Sequence, residues 1–221
     1  MLQRPIPSSG ELLPVIGLGT YRGFDKAPGT PGYDALADVI GALVDAGGTV
    51  VDSSPMYGRA ETSVGDIIAA QSRRPRCFVA TKVWTSGRAA GVRQMEQSLA
   101  RLAVDQIDLM QVHNLVGYDE HIGTLREWKK SGRVRYVGIS HYTLSAYAEV
   151  EAVLRREPLD FLQINYSVED RSAGRRLLPL AQERGVAVVV NLPFGGGGLL
   201  RGLAARALPP WAAEIACTTW A

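Results

Sequence analysis

Seven times along the chain a short apolar run gives way to a segment built for a helix. The runs are Leu12–Thr20, Thr49–Ser53, Cys77–Val83, Ile107–His113, Arg133–Ser140, Asp160–Tyr166 and Val186–Asn191. Between them, apolar residues recur at helical spacing: Tyr33, Leu36, Ala37, Ile40 and Val44, then Val92, Met95, Leu99 and Leu102, then Ile122, Leu125 and Trp128. A weaker helix is expected over Thr62–Ala70, and Leu144, Tyr147, Val150 and Leu154 and later Leu177, Leu178 and Ala181 mark two more. Gly47-Gly48, Ser131-Gly132 and Gly185 stop helices, and Thr143 is read as an N-cap. This alternation demands parallel strands with helical crossovers. It favours a TIM-type (β/α)8 barrel over an open doubly wound sheet, which stays as the alternative. A full barrel takes roughly 250 residues and eight units, whereas these 221 residues offer seven strands. The expectation is one barrel domain over residues 1–221, truncated at the C-terminus, with the eighth strand and helix missing. Ala212–Ala221 reads as the opening of a helix, and the Ser8-Ser9-Gly10 turn as the tip of a short hairpin.

Charge and cysteine content narrow the function classes. A net charge of +2, with arginines scattered rather than massed, gives no reason to expect a nucleic-acid partner. Cys77 and Cys217 match no metal-ligand spacing and are read as two reduced thiols; no metal is expected. Neither a signal-like N-terminus nor a membrane-length apolar run is present in the sequence. The expected location is the cytoplasm, with export by a removed signal as the alternative.

The strand ends carry the chemistry. Val50-Val51 leads into Asp52, and a Ser-Ser-Pro turn then presents Tyr57 next to Gly58. A phenol with a pKa near 10 is a poor acid at neutral pH unless a cation stabilises its phenolate. The chain has four lysines, Lys26, Lys82, Lys129 and Lys130, and only Lys82 lies in an apolar strand pattern, where its desolvation asks for a partner. A third run ends on His113. Each of these residues has an ordinary reading when taken singly: a helix cap, a packed tyrosine, a core histidine. Parallel neighbouring strands would instead bring Asp52, Tyr57, Lys82 and His113 to one face.

These segments, VDSSPMYG, ATKVW and LMQVH, together with GLGTY at Gly17–Tyr21, SLARLAVDQIDLMQVH at Ser98–His113, VGIS at Val137–Ser140 and QINY at Gln163–Tyr166, resemble the aldo-keto reductase family. The resemblance implies reduction of an aldehyde or small ketone with NADPH, or second to it NADH, on a (β/α)8 barrel. It makes Tyr57 the general acid, Lys82 the group that lowers the phenol pKa, Asp52 the carboxylate paired with Lys82, and His113 the group that orients the carbonyl. Cofactor contacts are carried over to Gly19, Thr20, Tyr21, Asp52, Ser140, His141 and Gln163, with histidine standing at 141 where the family has asparagine. The position of a ring-stacking aromatic is assigned to Leu192, with Phe194 as its replacement. Gly196 belongs to a glycine run that could approach a pyrophosphate. Tyr21, Trp84 and Asn114 are the expected substrate-pocket residues.

His141, Leu192 and the missing last unit support a second reading, a catalytically impaired or non-enzymatic barrel without a complete cofactor site. The expected partner is a small-molecule carbonyl substrate, with neither nucleic acid nor membrane. Self-association through the open barrel edge is expected as well, because unpaired strand edges and uncovered apolar faces invite it.

Overall fold

The six later apolar runs each become a parallel strand whose alternate side chains point to the barrel axis. The computed structural model describes residues 1–220, apart from the side chain of residue 75. Gln3–Pro5 (β1) and Leu12–Pro14 (β2) form an antiparallel hairpin. The seven-stranded parallel sheet follows in chain order: β3 (Leu18–Gly19), β4 (Val50–Asp52), β5 (Phe78–Val83), β6 (Ile107–His113), β7 (Val134–His141), β8 (Phe161–Asn165) and β9 (Ala187–Asn191). Helices α1 (Asp34–Asp45), α2 (Ala60–Ala70), α3 (Arg88–Leu102), α4 (Tyr118–Lys130), α5 (Tyr147–Arg156) and α6 (Leu177–Glu183) alternate with these strands, and a short α7 (Gly198–Leu203) comes after β9. The strand order is sequential, so the sheet curls as a barrel wall with β3 and β9 as its outer strands. It is an incomplete (β/α)8 barrel; an eighth parallel strand is not among the described residues.

Strand register fixes what faces inward. Val50 pairs with Phe78, Asp52 with Ala80, Lys82 with Gln111, His113 with Ser140, Ser140 with Gln163 and Asn165 with Asn191. Side chains alternate along a strand with period two, so these residues share the axial face. At its N-terminal end the face is apolar: Val50, Phe78, Ala80, Leu109, Tyr136 and Phe161 pack together, and Ile6 from the hairpin closes the floor. Phe78, Tyr136 and Phe161 meet with ring centroids 5.6 to 6.0 Å apart. Gly138, also inward, has no room for more, since a Cβ there would sit 2.6 Å from the Phe161 carbonyl oxygen. Towards the C-terminal end the same face turns polar. The opposite strand faces pack on the helices in two further clusters, one centred on β6 to β8 and the other on β3 to β5.

Three local expectations need correction. Leu12–Thr20 is two strands rather than one. Pro14 lacks an N–H, and the chain leaves the hairpin there before rejoining the parallel sheet at Leu18. Thr143 precedes a 3-10 turn (Leu144–Ala146) and makes no side-chain capping bond; its hydroxyl lies 3.3 Å from His141 Nδ1 instead. The segment expected to open a C-terminal helix is a 3-10 turn at Pro210–Ile215, ended by Ala216 in the left-handed region at φ 52°; Ala221 lies outside the described residues. Cys77 and Cys217 are free thiols. None of the helices among the described residues is long and apolar enough to cross a membrane.

Candidate active site

Lys82 organises the polar end of the barrel. It is completely buried, and an ammonium in that position is stable only if its protons are met. Nζ donates to Asp52 Oδ2 at 2.8 Å and to the Ser53 carbonyl at 2.7 Å. The Asp52 side chain is 14% exposed, so the pair sits at the boundary between the packed interior and the mouth. Gln163 Nε2 donates to the same carboxylate oxygen at 3.1 Å, and Gln111 Nε2 reaches Oδ1 at 3.4 Å. Thr20 is buried beneath, donating from its hydroxyl to the Asp52 carbonyl at 3.1 Å and lying 3.0 Å from Ser53 Oγ.

Tyr57 lies against this pair. Lys82 Nζ is 5.1 Å from the centre of its ring, and the Tyr21 ring packs against it with centroids 5.0 Å apart. Burial raises the phenol above its ordinary value, and the Lys82 charge pulls it down by less, with Asp52 adding to the rise. Lys82 acts downward, as expected of it, and burial outweighs it, so the net direction is upward. Lys82 limits the rise that burial imposes, and Tyr57 keeps its proton through neutral pH.

His113 closes the set. Its Nδ1 lies 2.7 Å from Ser140 Oγ across the β6–β7 ladder. Burial first, then the charges of Lys82 and His141, push its pKa down to about 3, so the ring is neutral at ordinary pH. The consequence for stability has a definite sign. An unfolded histidine titrates near 6.5, so between that value and about 3 the unfolded state binds the extra proton. Stability therefore falls as pH drops through this window. We expect the stability of the wild-type chain, measured by urea denaturation, to decline from pH 6.5 towards 4. His113→Gln, which cannot titrate, should decline less over the same range; parallel curves would contradict the assignment.

Other expected residues are placed less centrally. Gly19 stands at the inward position of β3 with open space where a side chain would be. Tyr21 and Trp84 are 57% and 40% exposed. The Trp84 backbone is clamped by the Gln94 amide, its N–H donating to Oε1 at 2.6 Å and its carbonyl accepting from Nε2 at 3.1 Å. Asn114 follows His113 with φ 54°, and its Oδ1 is buried without a partner. The His141 ring is turned to its own loop, with Nδ1 accepting the N–H groups of Tyr142 and Thr143. Leu192 and Phe194 are 44% and 51% exposed, and the inward position at the end of β9 belongs to Asn191, whose Oδ1 is buried and unpaired. Gly196 lies in a turn with φ 64°; the neighbouring Gly195 has the Glu169 carboxylate beside it, an unfavourable setting for a pyrophosphate. Gln111 and Asn191 were missed by the sequence reading. The period-two alternation back from His113 and on from Val189 was the signal that could have found them.

Comparison with known proteins agrees with this architecture. The sequence pattern of the Aldo/keto reductase family matches residues 15–210. An aldo-keto reductase of Bacillus subtilis (strain 168), YhdN, is 30% identical over 203 residues, covering 85% of this chain and 59% of its own length. Methylglyoxal reductase YeaE of Escherichia coli (strain K12) is 29% identical over 209 residues, covering 91% of this chain and 72% of its own. The crystal structure of an aldo-keto reductase from Klebsiella pneumoniae in complex with NADPH superposes with a TM-score of 0.78 at 27% identity, over 94% of this chain and 74% of that one. The chain thus spans 59% of the first of these relatives. With the family pattern running from Val15 to Pro210, this chain belongs to the aldo/keto reductase family.

Proposed function

We propose that this chain reduces a small carbonyl compound, an aldehyde or small ketone, to the alcohol, with NADPH as the reductant. The observation that carries the reading is the buried Lys82–Asp52 pair set against Tyr57, with a neutral His113 on the neighbouring strand. The similarity to a methylglyoxal reductase and to an NADPH-bound neighbour supports the substrate class and the choice of cofactor. The mouth fits a nicotinamide carboxamide in part. Asn191 offers a buried, unpaired acceptor on the axial face, with Gln163 and Ser140 on the strands beside it. Those three residues would hold the carboxamide, and the reduced nicotinamide ring so anchored would supply the hydride.

The chain's own residues then have distinct tasks. His113 Nδ1 lies 2.7 Å from Ser140 Oγ; with Ser140 as the donor of that bond, the ring proton sits on Nε2 and donates to the carbonyl oxygen. The developing negative charge on that oxygen is met by Tyr57, which gives up its phenolic proton. Lys82 stabilises the phenolate that remains, and Asp52 keeps the ammonium compensated throughout. The competing reading, a family member that does not turn over, draws on the His141 side chain being occupied by its own loop and on the carboxylate beside Gly195.

Titrating NADPH and then NADH into the purified chain, followed by tryptophan fluorescence, separates the two. Saturable NADPH binding together with oxidation of NADPH by methylglyoxal or a simple aldehyde supports the reductase. Absence of both supports the competing reading.

A further inference from the structure

We propose that Gln111 is a positioning residue for the reduction: its side-chain amide donates to Asp52 Oδ1 and fixes the carboxylate, so that Lys82 stays directed at Tyr57. The inference rests on the function proposed above. Its geometric core, a fixed Asp52, does not depend on turnover.

Gln111 is fully buried on the axial face of β6, two residues before His113 and directly across the ladder from Lys82. A buried amide is costly unless its hydrogen bonds are made, and here one side-chain bond serves a group that can make four. Nε2 reaches Asp52 at 3.4 Å, while Oε1 is buried with no partner. Leucine or methionine would fill the same space without an orphan. A position that accepts such a cost inside an otherwise well-packed barrel points to a task other than packing.

The task follows from the bonds around Asp52. Oδ2 is held twice, by Lys82 at 2.8 Å and Gln163 at 3.1 Å. Among the described residues, the side-chain donor to Oδ1 is Gln111. Without it, the carboxylate is held at Oδ2 alone and can pivot about that oxygen. Oδ1 would then be available to accept a hydrogen bond from the Tyr57 hydroxyl, holding back the proton that reduction needs. Rotation would also loosen the bond that keeps the Lys82 ammonium in place.

The test compares wild type with Gln111→Met, which keeps the length and removes the amide. We expect kcat to fall about ten- to a hundredfold, the range of a hydrogen bond to a charged group, with KM for the carbonyl changed less than about twofold. Thermal stability should be unchanged or raised, because the orphaned amide is gone; a merely structural role predicts the reverse. The direct readout is the ammonium signal of 15N-labelled lysine. Lys82 is the completely buried lysine of four, and its signal is assigned through its proximity to the Tyr57 ring. A displaced Lys82 signal in Gln111→Met, whether or not the wild type turns over, supports the positioning role. An unmoved signal, or a variant that fails to fold, overturns it. If wild type shows no turnover, the reductase reading fails on its own, and the lysine signal still decides the role of Gln111.

Discussion

Replacing Tyr57 by phenylalanine is expected to lower kcat for carbonyl reduction by about 10²- to 10⁴-fold, the usual worth of a positioned general acid, with NADPH affinity changed by less than about twofold. The argument rests on what the substitution leaves in place. Tyr57 is partly buried between Lys82 and Tyr21, and a phenylalanine fills the same volume and keeps both ring contacts. The buried ion pair is met by Ser53, Gln163 and Gln111 without the phenol oxygen, so the variant should melt close to wild type. What disappears is the proton. Because burial raises the phenol above its ordinary value despite Lys82, wild-type Tyr57 is protonated over the whole neutral range. Its kcat should therefore show no loss of activity between pH 6 and 8 from titration of this group, and none from His113, which stays neutral there. Steady-state kinetics of the two proteins, with cofactor binding measured separately, checks the prediction. Equal turnover in both would remove Tyr57 from the proton path and leave His113 as the donor to examine.

The frame was legible because it is written in periodicities. β6 coincides with the expected Ile107–His113, and the other parallel strands after β3 start or end within a residue or two of expectation. Such runs announce themselves wherever both faces of a strand are buried. The convergence of Asp52, Lys82 and His113 was legible for the same reason, since inward parity and sequential strand order leave little freedom. Three things were not legible, each with its own cause. The break at Pro14 is a tertiary choice, in which the hairpin plugs the floor of the barrel with Ile6 instead of extending the wall. The direction of the Tyr57 shift is a competition between burial and charge, and a sequence shows which charge is present but not how deep the phenol lies. The inward residue at the end of β9 was the third: the resemblance points to Leu192 for the ring-stacking position, and the pleat turns Asn191 inward while Leu192 stands at φ 53° and exposed.

Removing one half of the buried ion pair should cost more stability than removing both halves together. Lys82→Met leaves Asp52 without its cation, and Asp52→Leu leaves a fully buried ammonium facing only the Ser53 carbonyl and an apolar side chain. Breaking a buried pair from one side typically costs about 3–5 kcal/mol, because the remaining charge is uncompensated. Here we expect about 3 kcal/mol, the lower end, for each single substitution. Asp52 is 14% exposed at the mouth, so water can reach it, and Gln163 and Gln111 already share its charge. In the double variant no charge is stranded and the two apolar side chains occupy adjacent strands above Ala80. Its stability should recover to within about 1–2 kcal/mol of wild type, while carbonyl reduction stays abolished. Urea denaturation of the four proteins gives the coupling as a double-mutant cycle, and a strongly non-additive result is the expected one. Additive losses would mean that the two groups are solvated independently in solution, and the electrostatic support drawn above for Tyr57 would then have to come from elsewhere in the mouth.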